Sequence, residues 1–194
     1  VRSSLITRRT LVGGRRTQLR RWAVAFLLFA TAAVLGGIPA YVRPQLDPLR
    51  PADAIVVLGG VDPSRYSLGI ELANEGWAPA LVFSNPLGAK DEWMTQECST
   101  PHSGYVQYCF VPDPQTTRGE GRELNQLAAQ HGWHHLIVVT FTPHISRARF
   151  VLEHCFSGEL TMVASPGSPS LPRLAFEYVY QTVGYVKSMP QRGC

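Results

Sequence analysis

Ala52-Asp-Ala-Ile-Val-Val-Leu-Gly-Gly60 decides the fold. Residues 54–58 form a short, unbroken apolar run that two glycines stop. A strand with one wet face would alternate apolar and polar residues. A continuous run of this length suits a strand buried on both faces, the habit of parallel sheets covered by helices.

Working outward from that run, similar units recur. Asp62-Pro63-Ser64 resembles a helix start, with Leu68, Leu72 and Ala73 at helical spacing and Gly76 at the end. Residues 80–83 (ALVF) read as a second strand and 106–111 as a third, with 87–104 irregular and polar between them. Thr117 reads as a helix N-cap with Glu120 as its capping-box partner, and Leu124, Leu127 and Ala128 carry that helix to Gly132. A fourth strand comes at 136–140, then a helix at 146–155, a strand at 160–164, a proline-rich break at 165–172 and a last helix at 174–188. In that last helix Phe176, Val179, Tyr180 and Val183 fall at apolar spacing. Alternating strands and helices predict an α/β fold: a Rossmann-like three-layer domain around a mainly parallel sheet, preceded by one transmembrane helix.

That helix is predicted from residues 22–42, WAVAFLLFATAAVLGGIPAYV, which hold no charge. About 20 apolar residues suffice to cross a hydrocarbon core of about 30 Å. Trp22 and Tyr41 sit at its edges, where aromatic rings favour the interface. Residues 1–21 hold seven arginines and no acid; one arginine, Arg43, follows the span directly. This bias predicts a cytoplasmic tail at 1–21, an anchor at 22–42, a stiff proline-containing linker at 43–51 and an α/β domain at 52–190 outside the cytoplasm. The same apolar stretch also reads as a buried core helix or a signal peptide, but a core helix needs a polar face and Ile38-Pro39-Ala40 matches a cleavage site poorly, so an uncleaved single-pass plasma-membrane anchor is expected.

The chain has 194 residues, 45% hydrophobic and 16% charged, which leaves room for one domain besides the anchor. Its net charge of +4 belongs to the tail: without those seven arginines, 11 basic residues face 14 acidic ones. A nucleic-acid partner is therefore not expected. The four cysteines, Cys98, Cys109, Cys155 and Cys194, form no CxxC pair, and no paired-histidine motif marks a metal. Cys98 and Cys109 either close a short bridge in an oxidising compartment or stand as two free thiols; Cys155 and Cys194 are a second candidate pair.

In open α/β sheets ligands bind beyond the carboxyl ends of the strands. The first four strands are each succeeded by polar residues or glycines: Gly59, Gly60, Asp62 and Arg65; Ser84 and Asn85; Thr116, Thr117 and Glu120; Thr140, Thr142, His144 and Arg147. Gly59-Gly60 before a helix is either a phosphate-accepting turn or a plain tight turn. The sequences GxGxxG and GxxxxGK[ST] are absent, so neither a dinucleotide site nor a P-loop is expected. His144 is placed to move protons near neutral pH, and Arg147, one turn on, to grip an anion. The bland alternatives are a capping box at Thr117 and Glu120, and a helix start with solvated arginines at 144–149. His131, His134 and His135 belong to the opposite end of the sheet, and Trp77 and Trp133 read as packing residues.

The order and spacing of these stretches resemble the YdcF-like family, of the SanA and ElyC type. The matching pieces are 52–60, Arg65, Gly76, Ala78-Pro79, Ser84, Thr116-Thr-Arg-Gly-Glu120, Val138-Val-Thr140, His144 and Arg147-Ala148, spread over residues 52–164. The Thr-Thr-Arg-Gly-Glu form looks like members from high-GC Gram-positive bacteria. The resemblance implies a Rossmann-like domain, often tethered by one N-terminal membrane helix, linked to cell-envelope integrity and peptidoglycan-related processes. It also implies a polar cluster at Gly59, Gly60, Arg65, Ser84, Thr117, Glu120, Thr140, His144 and Arg147. Ser84-Asn85-Pro86 departs from the Ser-Gly-Gly type of turn usual in the family. Nucleotide-type ligands such as S-adenosylmethionine are implied for a cytoplasmic member; with this domain exported, no cofactor is expected.

Together these readings predict an envelope protein that binds, and processes, an anionic, phosphate-bearing cell-wall or lipid-linked ligand. Arg65, Arg147 and the Gly59 and Gly60 amides would bind the anion. His144 would be the acid/base, oriented by Glu120, with Ser84, Asn85, Thr117 and Thr140 completing the polar shell. A non-catalytic sensing module for such a ligand is the rival expectation.

Overall fold

The run at 54–58 becomes the centre of a five-stranded sheet. The computed structural model describes residues 6–60, 62–190 and 193–194; Arg2 of the expected basic tail lies outside the described residues. The strands are β1 (Ala54–Val57), β2 (Ala80–Ser84), β3 (Val106–Phe110), β4 (His135–Thr140) and β5 (Glu159–Ala164). All pairings are parallel, in the order β3-β2-β1-β4-β5. Strand order reverses between β1 and β4, so a crevice opens there beyond the carboxyl ends.

Both faces of the sheet are covered, as the unbroken apolar runs require. Ala54, Val56, Leu58, Val138 and Met162 face one core with Leu124, Ala128, Ala148 and Leu152 from helices α4 (Thr117–His131) and α5 (Ile145–Glu153). Ile55, Val57, Leu81, Phe83 and Val139 face the other with Leu72 and Ala73 of α2 (Ser64–Asn74) and Met94 of α3 (Glu92–Ser99). Burying each large aliphatic or aromatic side chain among these contributes roughly 1.5–3 kcal/mol. Gly69 of α2 lies so close to the sheet that a Cβ there would come within 2.3 Å of Val57. Trp77 and Trp133 pack on the two cores as expected.

Two elements depart from the sequence expectation. Residues 87–104 are not wholly irregular, because Asp91 caps α3: its Oδ1 accepts from the Met94 amide at 3.0 Å, and Met94 inserts into the core. The last helix, α6 (Leu171–Ser188), starts inside the expected proline-rich break, with Pro172 in its first turn, where a missing N–H costs nothing.

Contacts divide the chain into two units, one ending at Ile38 and the other Pro39–Cys194. The first holds α1 (Ile6–Gly37), so the helix reaches back through most of the expected tail. A π-helical turn, Ile38–Val42, comes next; Pro39 has no N–H for an ordinary helical bond, and the wider turn accommodates it. Over Arg16–Val42 the helix is long and apolar enough to cross a membrane. Trp22, Phe26 and Phe29 are largely exposed along it, unlike residues of a core helix.

The second unit is longer than the expected domain at both ends. Residues 43–51 have no regular structure, yet they are not a free spacer. The Asp47 amide donates to the Met162 carbonyl at 3.3 Å, and its carboxylate accepts from the Met162 amide at 2.8 Å and from Arg149 at 2.6 Å. Arg50 pairs with Glu159. At the other end Cys194 is bonded to Cys155, and Cys98 to Cys109, so among the described residues no cysteine is free.

Candidate functional site

The helix after β3 starts one residue earlier than its capping motif implied. Thr116, not Thr117, is the N-cap, its Oγ1 accepting from the Gly119 amide at 3.3 Å. Gly119 is required there, since a Cβ would lie 1.9 Å from the Pro114 carbonyl oxygen. The shift leaves Thr117 and Glu120 without capping duty and turns both inward. The capping-box reading is thereby corrected.

Glu120 reaches across to the first strand loop. Its Oε1 accepts from the Gly59 amide at 2.7 Å. Gly59 is hemmed in: a Cβ would lie 2.4 Å from Pro86 Cδ and 3.3 Å from Glu120 Oε1. The Gly60 amide donates to the Tyr66 hydroxyl at 3.3 Å, and that hydroxyl donates to the Gly60 carbonyl at 3.0 Å. Both amides expected to cradle a phosphate therefore already have acceptors within the protein. Burial pushes the Glu120 carboxyl up, opposed by the Gly59 amide, by Ser84 and by the charges of Arg65 and Arg147. Ser84 is fully buried beside it, with a hydroxyl that completes no hydrogen bond of normal geometry.

His144 is 4% exposed and held on both ring nitrogens, Nδ1 to Thr140 Oγ1 at 2.9 Å and Nε2 to Thr117 Oγ1 at 3.2 Å. A neutral imidazole fits this pair, one nitrogen donating and the other accepting. Burial, then Arg147 and Arg65, hold its pKa well below the usual 6.5. Two threonine hydroxyls, rather than Glu120, orient the ring. Being neutral, it takes up a proton near pH 7 only when an adjacent anion outweighs its burial as well as the two arginines.

Arg65 is 2% exposed. Its guanidinium donates to the Leu58 and Gly59 carbonyls at 3.1 and 2.8 Å and lies 5.1 Å from the centre of the Phe141 ring. Its Nε is buried with no partner. Arg147 gives its Nε hydrogen to Gln181 Oε1 at 2.6 Å, and Gln181 donates to Glu177 at 2.7 Å. Burial lowers both arginine pKa values, against the pull of Glu120 and Glu177, but a guanidinium stays charged at any physiological pH. Asn85 serves its own turn: Nδ2 donates to the Gly88 carbonyl at 3.0 Å, while Oδ1 is buried without a partner.

Thus the buried Arg65, Ser84, Thr117, Glu120, Thr140 and His144, with the half-buried Gly59 and Arg147, form one polar layer under the β1–β4 crevice. Above it lies a cleft of about 420 Å³ lined by Asp62, Ser64, Arg65, Thr142, Ser168 and Arg173, among others. Arg65 is the one member of the layer that reaches it. The beginnings of α2 and α6 both meet this cleft, and helix N-termini favour negative charge. Arg173 and the 166–169 segment were not legible as site residues. Arg173, Glu177 and Gln181 are spaced by four along α6, a row that in sequence reads as a solvated face. Among the described residues, no three His, Cys, Asp or Glu side chains gather to hold a metal ion.

A scan of the chain against models of known protein families finds no match, and a search of curated proteins finds none either.

Proposed function

We propose that this chain is a single-pass plasma-membrane protein of the cell envelope, its N-terminus cytoplasmic and its α/β domain outside, which binds an anionic, phosphate-bearing cell-wall or lipid-linked ligand. The observation that carries the binding reading is the cleft at the β1–β4 switch point, with Arg65 and Arg173 on its walls and two helix N-termini at its rim. Export is supported by the arginine-rich stretch before the span and by the pairing of all four cysteines, since disulfides persist in oxidising compartments. The resemblance to YdcF-like proteins points to the same setting, peptidoglycan and envelope homeostasis.

One geometry supports two readings of the site. In the first, the ligand's charge, entering past Arg65, outweighs the burial and the arginine charges that depress the His144 pKa, and the imidazole becomes an acid/base for processing the ligand. In the second, the domain only senses the ligand; the burial of His144 between two threonines, away from the cleft wall, favours this one.

Titrating the full-length protein in detergent with inorganic phosphate and with a short prenyl phosphate, by calorimetry, tests the binding. Arg173→Ala should weaken it about tenfold, as loss of one charge-assisted bond does; unchanged affinity rejects the cleft as the site. His144→Gln separates the readings, since a sensor keeps its signalling and a catalyst loses turnover with binding intact.

A further inference from the structure

Helix α6 is built inside out. Its inward row is polar: Glu177 and Gln181 are each 1% exposed and bonded to Arg173 and Arg147. Its outward row is apolar: Phe176, Val179, Tyr180, Val183 and Val186, with Met189 just past its end, are each between 54% and 67% exposed. A helix on a water-soluble domain turns its apolar stripe to the core. Single exposed apolar residues are ordinary, but five along one helix, with a sixth directly after it, mark a surface that meets something.

We propose that the outward face of α6 docks on the lipid surface of the membrane from which the chain emerges. This rests on the reading of Arg16–Val42 as a membrane span. The last four residues of that stretch, Pro39–Val42, belong to the folded unit that contains α6. Tyr41 bonds Thr182 Oγ1 at 2.8 Å and packs edge-on to Tyr178 at 5.0 Å, both on α6. Ser146 donates to the Ala40 carbonyl at 3.0 Å and fixes the same turn from α5. A span that ends at Val42 leaves the bilayer there, and α6 touches its last turn through Tyr41. An interfacial helix of about 27 Å, lying flat, buries its apolar stripe in the headgroup and acyl boundary. The exposed Lys187 near its end and Tyr180 on the same face suit that layer.

The test reconstitutes the full-length chain in phosphatidylethanolamine–phosphatidylglycerol vesicles doped with a phospholipid carrying a diazirine in its acyl chain. After irradiation, labelled peptides are mapped by mass spectrometry. The expected result is label on residues 171–189 as well as on 22–42. In the Val179→Asp, Val183→Asp double variant, whose exposed positions leave the fold's melting temperature unchanged, label on 171–189 falls about tenfold or more while that on 22–42 stays. Label confined to 22–42 overturns the docking and keeps the span. Label on 171–189 without label on 22–42 removes the span and overturns the proposal that rests on it, and label on neither overturns both. A detergent-stable dimer that the double variant dissolves, with label confined to 22–42, assigns the face to a second copy of the chain and overturns the proposal.

Discussion

Thr117 Oγ1 stands 3.2 Å from His144 Nε2, which joins the first turn of α4 to the loop after β4 through one buried imidazole. Its neighbour Thr116 spends its hydroxyl on the helix cap. The two threonines should therefore behave differently. Thr117→Val leaves a buried ring nitrogen unpaired and should cost about 1–3 kcal/mol. Thr116→Ala removes only a cap and should cost about 1 kcal/mol. Urea unfolding of the two variants in detergent measures both; equal losses, with unaltered pH dependence, would show that His144 does not need Thr117.

Acid should loosen the fold before any carboxylate titrates in the unfolded chain. The His144 pKa is depressed in the folded protein, so its contribution to stability is full above the unfolded value of 6.5 and is lost as pH falls below it toward the folded value. Glu120 works in the opposite sense: its pKa is raised, so its contribution is present below 4.5 and lost as pH rises through the folded value. Melting temperature is expected to drop between about pH 7.5 and about pH 5.5, and His144→Gln to flatten that slope. An unchanged slope in the variant would place the sensitivity elsewhere.

Gly59→Ala should destabilise by about 1–3 kcal/mol, because its new methyl meets the Pro86 ring at 2.4 Å and crowds Glu120. Pro86→Ala should relieve the clash with the ring and recover part of the loss. Thermal unfolding of the single and double variants measures the coupling; strict additivity would mean that the loop moves freely.

Reduction should act more strongly through one bridge than the other. Cys155–Cys194 spans 39 residues and Cys98–Cys109 spans 11, for which loop-closure entropy gives about 4 and about 3 kcal/mol. Cys194→Ser is thus expected to lower the melting temperature more than Cys98→Ser, and by differential scanning calorimetry in dithiothreitol the two should converge. The reverse order would place most of the constraint at the α3–β3 bridge.

The sheet was legible because β1, β2 and β4 are apolar runs that only a two-sided burial explains. The polar layer was legible in part, because strand ends in parallel sheets converge and the residues just past them are polar. The details that escaped were local. Whether Thr116 or Thr117 caps α4 depends on the 113–114 backbone pressing on Gly119, a contact between parts of the chain that no spacing encodes. The Gly59 and Gly60 amides looked free because their acceptors, Glu120 and Tyr66, lie 61 and 6 residues away. Phe176, Val179 and Val183 show a helical period, but a period alone does not say which way its stripe points. Arg147 and Arg173 decided that by drawing Gln181 and Glu177 inward.

Asp47 has a bearing on the margin of the sheet. A parallel sheet ends in strands whose outer amides and carbonyls solicit another strand, and Met162 is the midpoint of such a margin. By occupying both its N–H and its C=O, a single aspartate on an otherwise irregular strap makes β5 a poor template for a neighbour's chain. The segment leading out of the apolar helix thus doubles as a guard against edge-to-edge aggregation, and shortening it would expose the molecule to its own copies.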